Sequence, residues 1–333
     1  MHTFDHIGLA GVYLLGRFVN PVDTFNAGYL LAAMMFAVGA YLWRRRLRSR
    51  VSLKALALAT KKVLTHRSTL VDYKLYLING FLAVACYGLA EGTSEGWKAG
   101  VLKGLVALGG PAGVVSMPHW SVAVIVTVVQ VLMLDLAYWS THWLFHNVRF
   151  FWELHKVHHS AEVMTPFTEW RQHPIEFVLF ANALTLSTGV TYGVAAWVFG
   201  RGALPFSLLQ LNVLLVVHLL TIHHLRHSHA WIAARGWLGR IVHSPAHHQI
   251  HHSTDPKHFG HNLGYALSVW DWVFGTLYMP AKVQKVVFGL GEVEDRQFRR
   301  ARDAFIQPMM RGLKIDRRPK PFASPAQAAP EQA

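Results

Sequence analysis

Residues 119–159, HWSVAVIVTVVQVLMLDLAYWSTHWLFHNVRFFWELHKVHH, join an apolar run to a group of closely spaced histidines. The run 119–141 is long enough to cross about 30 Å of hydrocarbon as a helix, which needs about 20 residues. His142 and His146 follow it four positions apart, and this spacing places both side chains on one helical face. The stretch therefore predicts a membrane helix that ends in two candidate metal ligands.

Two HxxHH boxes extend this histidine pattern. HKVHH begins at residue 155 and HQIHH at residue 248, and in each box the i, i+3, i+4 spacing gathers three imidazoles on one side of a helix. Neutral imidazole is the commonest protein ligand for transition metals. Seventeen of the 22 histidines lie in the windows 142–173 and 223–261. The boxes add six candidate ligands to the first pair: His155, His158, His159, His248, His251 and His252.

The number and type of these ligands predict two metal ions rather than one. Zinc usually takes four ligands, and its catalytic sites often use three protein groups and a water, so eight or more histidines exceed one zinc site. Iron is the redox ion that accepts imidazole and activates O₂. The single cysteine, Cys86, excludes a disulfide framework, a CxxC zinc pair and an iron–sulfur site. Nitrogen and oxygen ligands must therefore hold the metals.

The composition indicates one membrane body. Of the 333 residues, 52% are hydrophobic and only 15% are charged, whereas soluble domains average about 25% charged residues. The net charge of +14 does not predict nucleic-acid binding, because ten Lys and Arg residues lie between Arg44 and Lys74, beside an apolar run. Such a basic flank is typical of the cytoplasmic side of a membrane span. No cleavable signal peptide is expected, because no basic segment precedes the first apolar stretch.

The chain is predicted to be an all-α, polytopic membrane helical bundle of four to six spans, with candidate spans at 25–43, 74–90, 119–141, 175–199 and 203–222. If the basic segment is cytoplasmic, the third stretch returns the chain to the cytoplasm, and the last two form a helical hairpin that comes back to the same face. Both histidine windows then meet in a cytoplasmic helical cap that carries the dimetal site.

Three domains are expected from this organisation. Residues 1–118 would form N-terminal membrane helices with a basic cytoplasmic loop, and residues 119–290 the histidine-rich domain. Residues 291–333 would form a basic tail, and its end after about residue 315 is rich in Ala, Pro and Gln, which predicts disorder.

Several residues near the boxes are predicted to support the ligands. Asp135 lies in an apolar span, where a carboxylate is costly, so we predict that it orients a histidine from another segment. Pairing with a Lys or Arg is the structural alternative. Further candidates for positions behind the ligands are Glu169, His173 and Asp271, while Arg171 is a candidate for holding a phosphate or carboxylate headgroup. A turn with an interfacial tryptophan is the alternative interpretation of the Glu169–Arg171 segment.

The motifs resemble those of the fatty acid hydroxylase/sterol desaturase superfamily, whose members are membrane non-haem di-iron oxidases. HxxxH, HxxHH and a later HxxHH occur in that order. The flanks HKVHHSAEVMTPFTEWRQHP (155–174) and SPAHHQIHHSTDPKHFGHNLGYALSVWDWVFGTLYMP (244–280) are also similar to family segments. The resemblance, which covers about residues 120–282, implies that His227 is a further ligand. It leaves open whether His223, His224 or His229 also binds metal, with His223 as the possible additional ligand.

The resemblance implies two iron ions, Fe²⁺ or Fe³⁺, that activate O₂ and oxidise a C–H bond of a lipid. Hydroxylation is favoured over desaturation, and the substrate would be an acyl chain, a sterol-like ring or a lipid headgroup. Because the chain has no flavin, dinucleotide, haem-attachment or iron–sulfur motif, a separate electron donor is expected: a reductase, a cytochrome, a ferredoxin or a reduced pterin. A membrane haem carrier and a metal transporter are the alternatives that are not oxygenases.

Overall fold

The computed structural model describes residues 16–20, 23–47, 52–85, 93–282 and 284–313, and Cys86 lies outside these ranges. The described residues are mostly helical, as predicted. The α-helices are α1 (Ala27–Leu47), α2 (Leu53–Leu64), α3 (Arg67–Ala85), α4 (Ser94–Gly109), α5 (His119–Asn147), α6 (Arg149–His159), α7 (Pro174–Phe199), α8 (Val213–Thr221), α9 (Gly236–Ile241), α10 (Pro245–His251), α11 (Val269–Val273), α12 (Glu292–Asp295) and α13 (Asp303–Gly312). Short 3₁₀ helices lie at Pro166–Trp170, His223–Leu225, Pro256–His258 and Arg296–Phe298. One antiparallel pair joins β1 (Ser207–Leu208) to β2 (Leu211–Asn212).

Among the described residues, two helices, α5 and α7, are long and apolar enough to cross a membrane. They contain 29 and 26 residues, and at 1.5 Å per residue both exceed a hydrocarbon thickness of about 30 Å. They match the predicted spans 119–141 and 175–199. The predicted span 25–43 falls in α1, whose apolar part is the shorter segment Ala27–Gly39. The predicted span 74–90 begins in α3, but residues 86–90 lie outside the described ranges.

The predicted span 203–222 is corrected by the structure. In place of one long helix, this segment contains the β1–β2 hairpin followed by α8, which has only nine residues. Nine helical residues rise about 14 Å, less than half the hydrocarbon thickness. The hairpin is attached to α5, because the Asn212 side-chain amide donates to the Thr127 carbonyl (2.9 Å) and to Gln130 Oε1 (2.6 Å). The chain therefore leaves the end of α7 through a hairpin and a short helix.

α4 packs directly against α7 because two glycines of α7 face it. A β-carbon at Gly189 would clash with Cβ of Trp97, and one at Gly193 would lie 2.7 Å from Cβ of Val101. Small residues four positions apart let helix backbones approach closely in membrane proteins. Larger residues at these two positions would push α4 away from α7.

The C-terminal segment folds back onto α6, the helix that carries the first HxxHH box. Phe298 is buried in one apolar cluster with Val157 of α6 and Leu75 of α3. At the end of α13, a β-carbon on Gly312 would lie 2.8 Å from the Phe150 ring. The segment from α12 to α13 therefore belongs to the folded body rather than to a loose tail. The disorder predicted after about residue 315 falls outside the described residues.

Candidate metal centre

Nine buried histidines form two adjacent clusters. In each cluster, every member offers one ring nitrogen, and these nitrogens all lie within 4.8 Å of one another. The five-histidine cluster consists of His142, His146, His155, His159 and His251. The four-histidine cluster consists of His158, His227, His248 and His252. The structure thus brings together all nine histidines that the sequence and the resemblance nominated as ligands.

The two HxxHH boxes contribute to the clusters in opposite ways. In α6, the i and i+4 residues His155 and His159 belong to the five-histidine cluster, and the i+3 residue belongs to the other. In the second box, the i and i+4 residues His248 and His252 belong to the four-histidine cluster, and the i+3 residue again belongs to the other. Positions i+3 and i+4 point about 100° apart on a helix. One box can therefore serve two neighbouring sites at once.

The nitrogen positions fit a cation better than they fit hydrogen bonds. In the four-histidine cluster, His227 Nε2 lies 3.3 Å from His158 Nε2 and 2.9 Å from His248 Nε2. His248 Nε2 lies in turn 3.1 Å from His252 Nε2. A neutral ring nitrogen either donates once or accepts once, so these three contacts cannot all be hydrogen bonds. Ligand nitrogens about 2.0–2.1 Å from one metal lie about 2.8–3.4 Å apart, and the three separations found here fall in that range.

In the five-histidine cluster, hydrogen bonds at the outer nitrogens aim the inner nitrogens at the centre. His142 Nδ1 donates to the Leu263 carbonyl (2.8 Å), and His251 Nδ1 donates to the His261 carbonyl (2.9 Å). Because a carbonyl only accepts, each of these rings carries its proton on Nδ1 and keeps the Nε2 lone pair free. The buried Nε2 atoms of His146, His159 and His251 have no hydrogen-bond partner among the described residues. Such unsatisfied buried acceptors also fit a bound metal.

Burial keeps these histidines neutral. Burial lowers the pKa of His158 to about 3 and the pKa of His251 to about 4. Burial also lowers the pKa of His155, His159 and His248 well below the usual 6.5. Neutral imidazole is the form that binds metal, so the ligands need not lose a proton near neutral pH.

One positioning residue was missed from the sequence. Glu176, in the first turn of α7, is 1% exposed, and its Oε1 lies 2.7 Å from His155 Nδ1. A carboxylate behind a ligand histidine fixes the ring and makes it a stronger ligand. The signal was present in the sequence, because Glu176 follows Pro174 at the start of an apolar span, where a carboxylate is costly.

Asp135 and Asp271 act on a loop rather than directly on a ligand ring. Asp135 Oδ1 accepts from the backbone N–H of Ala266 (2.6 Å) and Leu267, so the predicted contact with a ligand histidine is not what the structure contains. Asp271 accepts from the N–H of Leu263 (2.8 Å) and Gly264. The Leu263 carbonyl accepts the hydrogen bond from His142 Nδ1. By holding this loop, both carboxylates therefore help to position the His142 ring indirectly.

Arg171 and His173 have structural partners away from the clusters. Arg171 is 2% exposed, and its guanidinium donates to Asp72 Oδ1 (2.8 Å), to Ser68 and to Ser160. Its Nε also donates to the Val157 carbonyl and its Nη2 to the Ser160 carbonyl, so no donor remains to hold a headgroup, which corrects that prediction. His173 Nδ1 accepts from Ile175 N–H at the start of α7, so this side chain caps the helix.

A third group lies beside the clusters and contains Glu169, His223 and His224. Glu169 Oε2 is 3.0 Å from His223 Nε2, so His223 is paired with a carboxylate and lies outside both histidine clusters. His229 also lies outside them, and its Nε2 accepts from Met164 N–H.

Three cavities contact the clusters at different histidines, and one of them, of about 720 Å³, contacts only His227 among the nine. A cavity of about 190 Å³ contacts the five-histidine cluster at His146, His159 and His251, with Glu294 on its wall. The second, of about 330 Å³ and called here the inner cavity, contacts His155, His158 and His227 and is otherwise lined by residues of α5, α7 and the loops beside them. The centre is therefore accessible although its histidines are buried.

Comparison with known proteins relates the histidine-rich part of the chain to one family. The model of the fatty acid hydroxylase family matches residues 127–276, which contain all nine clustered histidines. Alkylglycerol monooxygenase of Danio rerio is 29% identical over 162 residues, which is 48% of this chain and 31% of the relative. The Homo sapiens alkylglycerol monooxygenase is 28% identical over 162 residues, or 48% of this chain and 32% of the relative. The Delta(7)-sterol 5(6)-desaturase of Gibberella zeae is 28% identical over 151 residues, or 45% of this chain and 42% of the relative.

These matches show distant homology to monooxygenases and sterol desaturases. The chain spans only about a third of the length of the alkylglycerol monooxygenases that it matches. No solved structure matches the chain. The two apolar helices together with the family suggest an integral membrane protein.

Proposed function

We propose that this chain, which belongs to the fatty acid hydroxylase family, is a membrane-bound di-iron oxygenase that uses O₂ to hydroxylate a C–H bond of a lipid. The observation that carries the proposal is the division of nine buried histidines into clusters of five and four. This number of ligands exceeds what one metal ion needs and suits two. Two irons, when bound, would supply the activation of O₂ and the oxidation of the C–H bond.

The chain itself would hold and orient the metals. His142, His146, His155, His159 and His251 would bind one ion, and His158, His227, His248 and His252 the other. Glu176 would fix the His155 ring, while Asp135 and Asp271 would hold the loop that fixes His142. Because all nine rings are buried, the ligand nitrogens are shielded from bulk water.

The lipid would reach the metals through the inner cavity. Leu134 of α5 and Phe180 and Leu184 of α7 line its apolar wall, and His155 and His158 line its other side. Both helices are apolar enough to face lipid, so an apolar chain could enter from the bilayer. We place the centre on the cytoplasmic face because the segment before α3 is basic and includes Lys61 and Lys62. Basic residues that flank a membrane span are typical of its cytoplasmic side.

Electrons would come from a separate donor, which could be a reductase, a cytochrome, a ferredoxin or a reduced pterin. The cavity of about 190 Å³ at the five-histidine cluster offers a route to the metals that does not pass through the inner cavity. Donor and lipid could therefore approach from different sides.

The test combines metal analysis with lipid mass spectrometry. Purified wild-type protein should contain about two irons per chain and show no haem absorption. Cells that express it should accumulate a lipid with one added oxygen, and this lipid should be absent with His158→Ala. His119→Ala, a change at an exposed histidine outside both clusters, is the matched control and should behave as wild type. A haem spectrum, or metal uptake into proteoliposomes without any oxidised lipid, would overturn the proposal.

Desaturation is the second candidate, because one of the relatives is named a sterol desaturase. Both reactions begin with removal of a hydrogen atom from a C–H bond, and the same centre suits both. The same experiment separates them, since a desaturase product has lost two hydrogens instead of gaining an oxygen.

A further inference from the structure

We infer that Arg226 and Glu169 form the polar end of the inner cavity and select an uncharged amphiphile whose head carries hydroxyl or carbonyl oxygens. The inference deepens the proposed function and rests on it, because it names the substrate class of the same centre. Neither residue belongs to the two histidine clusters.

Arg226 presents a donor to the cavity. The residue is 1% exposed and lines the inner cavity beside His227. Its Nε donates to the His223 carbonyl (3.3 Å), and its guanidinium carbon lies 4.5 Å from the centre of the Tyr265 ring. Nη1 has no hydrogen-bond partner among the described residues. The Tyr138 side chain lies beside the guanidinium and interacts with it as a whole. A buried guanidinium donor without an acceptor is costly, and an oxygen of a bound ligand would satisfy it.

Glu169 balances the charge of Arg226 across one imidazole ring. His223 Nε2 lies 3.0 Å from Glu169 Oε2, and His223 Nδ1 lies 3.5 Å from Arg226 Nη2. Both charged residues line the inner cavity. The net charge of Glu169 and Arg226 together is therefore close to zero before any ligand enters the cavity. A carboxylate or phosphate head would add an unpaired buried negative charge beside Glu169, whereas a hydroxyl or carbonyl oxygen would not.

The rest of the inner cavity suits the apolar part of such a molecule. Phe177, Phe180 and Leu184 line it along α7, and its volume of about 330 Å³ lies in the range of small-molecule sites. Arg226 is adjacent in sequence to His227 of the four-histidine cluster. The oxygen-bearing end of the ligand would thus lie near the metals, and the attacked C–H bond would lie close to that end rather than far along the chain.

The test measures equilibrium binding of three probes with the same chain length to the iron-loaded protein in nanodiscs: 1-dodecanoylglycerol, dodecanoate and dodecyl phosphate. Wild type should bind the glycerol ester about tenfold or more tightly than either anion. Arg226→Gln should weaken binding of the ester by a similar factor. Glu169→Gln should reverse the order, because it leaves Arg226 uncompensated, and dodecanoate should then bind about tenfold better than it binds wild type.

Matched controls are Arg240→Gln and Glu95→Gln, which make the same changes at exposed residues outside the inner cavity. Iron content and melting temperature identify any variant that fails to fold. If Arg226→Gln does not fold, the selectivity of Glu169→Gln still decides the matter. Tight binding of an anion to wild type, or an unchanged order in Glu169→Gln, would overturn the inference. The predicted binding order without any oxidised product would instead contradict the proposed function and leave the selectivity in place.

Discussion

Nδ1 of His155 lies 2.7 Å from Oε1 of Glu176, and both side chains are almost completely buried. The two residues belong to different helices, α6 and α7, so a helix able to cross the membrane positions a ring in the five-histidine cluster. We expect Glu176→Ala to lower iron affinity by about 10- to 100-fold, because the His155 ring loses its orienting partner. Glu176→Gln should lose less, since the amide oxygen can still accept the Nδ1 proton. Competition with a chelator measures both affinities.

The exposed Glu95→Gln change provides the control for this comparison. Equal iron affinity of wild type and Glu176→Ala would show that the carboxylate has no part in holding the metal.

Single ligand deletions should report on each cluster separately. His159 belongs only to the five-histidine cluster and His252 only to the four-histidine cluster. Alanine at either position removes one nitrogen ligand, so the iron content should fall from about two per chain towards one, and turnover should be lost. Iron per chain is measured on purified protein, with His119→Ala as the control. Two irons and full turnover in both variants would refute the ligand assignment.

The stability of the metal-free protein should depend on pH through the buried histidines. Burial lowers the pKa of His158 to about 3 and that of His251 to about 4, while an unfolded chain has a histidine pKa of about 6.5. Between pH 6.5 and about 4 the unfolded state therefore binds more protons, and stability falls as the pH falls. Each such histidine contributes about 1.4 kcal/mol per pH unit in this range.

The corresponding measurement is the melting temperature of metal-free protein between pH 8 and pH 5. It should change little above pH 7 and then drop steeply. His158→Gln should show a shallower drop because one titrating group has been removed. A melting temperature that stays constant down to pH 5 would contradict this explanation.

The contact between α4 and α7 offers a test of the fold that leaves the ligands untouched. A β-carbon at Gly193 would lie 2.7 Å from Cβ of Val101 and 3.0 Å from the Lys98 carbonyl oxygen. We expect Gly193→Ala to destabilise the protein by about 1–3 kcal/mol through overpacking. Iron content should remain at the wild-type level, since α4 contributes no histidine to either cluster.

Gly104→Ala is the matched control within α4, because its β-carbon would have no neighbour within 4 Å. This variant should be as stable as wild type or more stable by up to about 1 kcal/mol, as alanine favours a helix. Equal melting temperatures for the two variants would mean that the helices do not pack as closely as described.

The histidines could be found from the sequence because the HxxHH spacing itself fixes their geometry: three rings on one side of a helix have few uses other than binding metal. The division between clusters could not be found, since it depends on how α6 and α10 face each other. Glu176 could also be found from the sequence because, like Asp135, it is a carboxylate in an apolar span. Arg226 was not, because its importance arises from the cavity that it lines, and cavities are formed by residues distant in sequence.

The helical prediction for 203–222 was wrong for a local reason. The segment is apolar, and its composition alone predicts a membrane helix. The hairpin instead depends on hydrogen bonds from Asn212 to Thr127 and Gln130 of α5, which are distant in sequence. Leu209 and Gln210 both adopt positive φ angles in its turn. Leucine and glutamine rarely adopt this conformation, so the sequence does not predict the turn.

In the sequence, α7, the hairpin and α8 separate the first group of ligand histidines from the second. Before the ribosome has made this insert, the growing chain holds only four members of the five-histidine cluster and His158 alone of the other. His227 and the second box reach the site only once the chain has passed through α7 and returned. A molecule stalled or wrongly threaded at that step would have an incomplete ligand set and could not retain a reactive pair of irons. Under the proposed function, the pair of irons could therefore be bound completely only after this insert has folded and brought the later ligands back to the site.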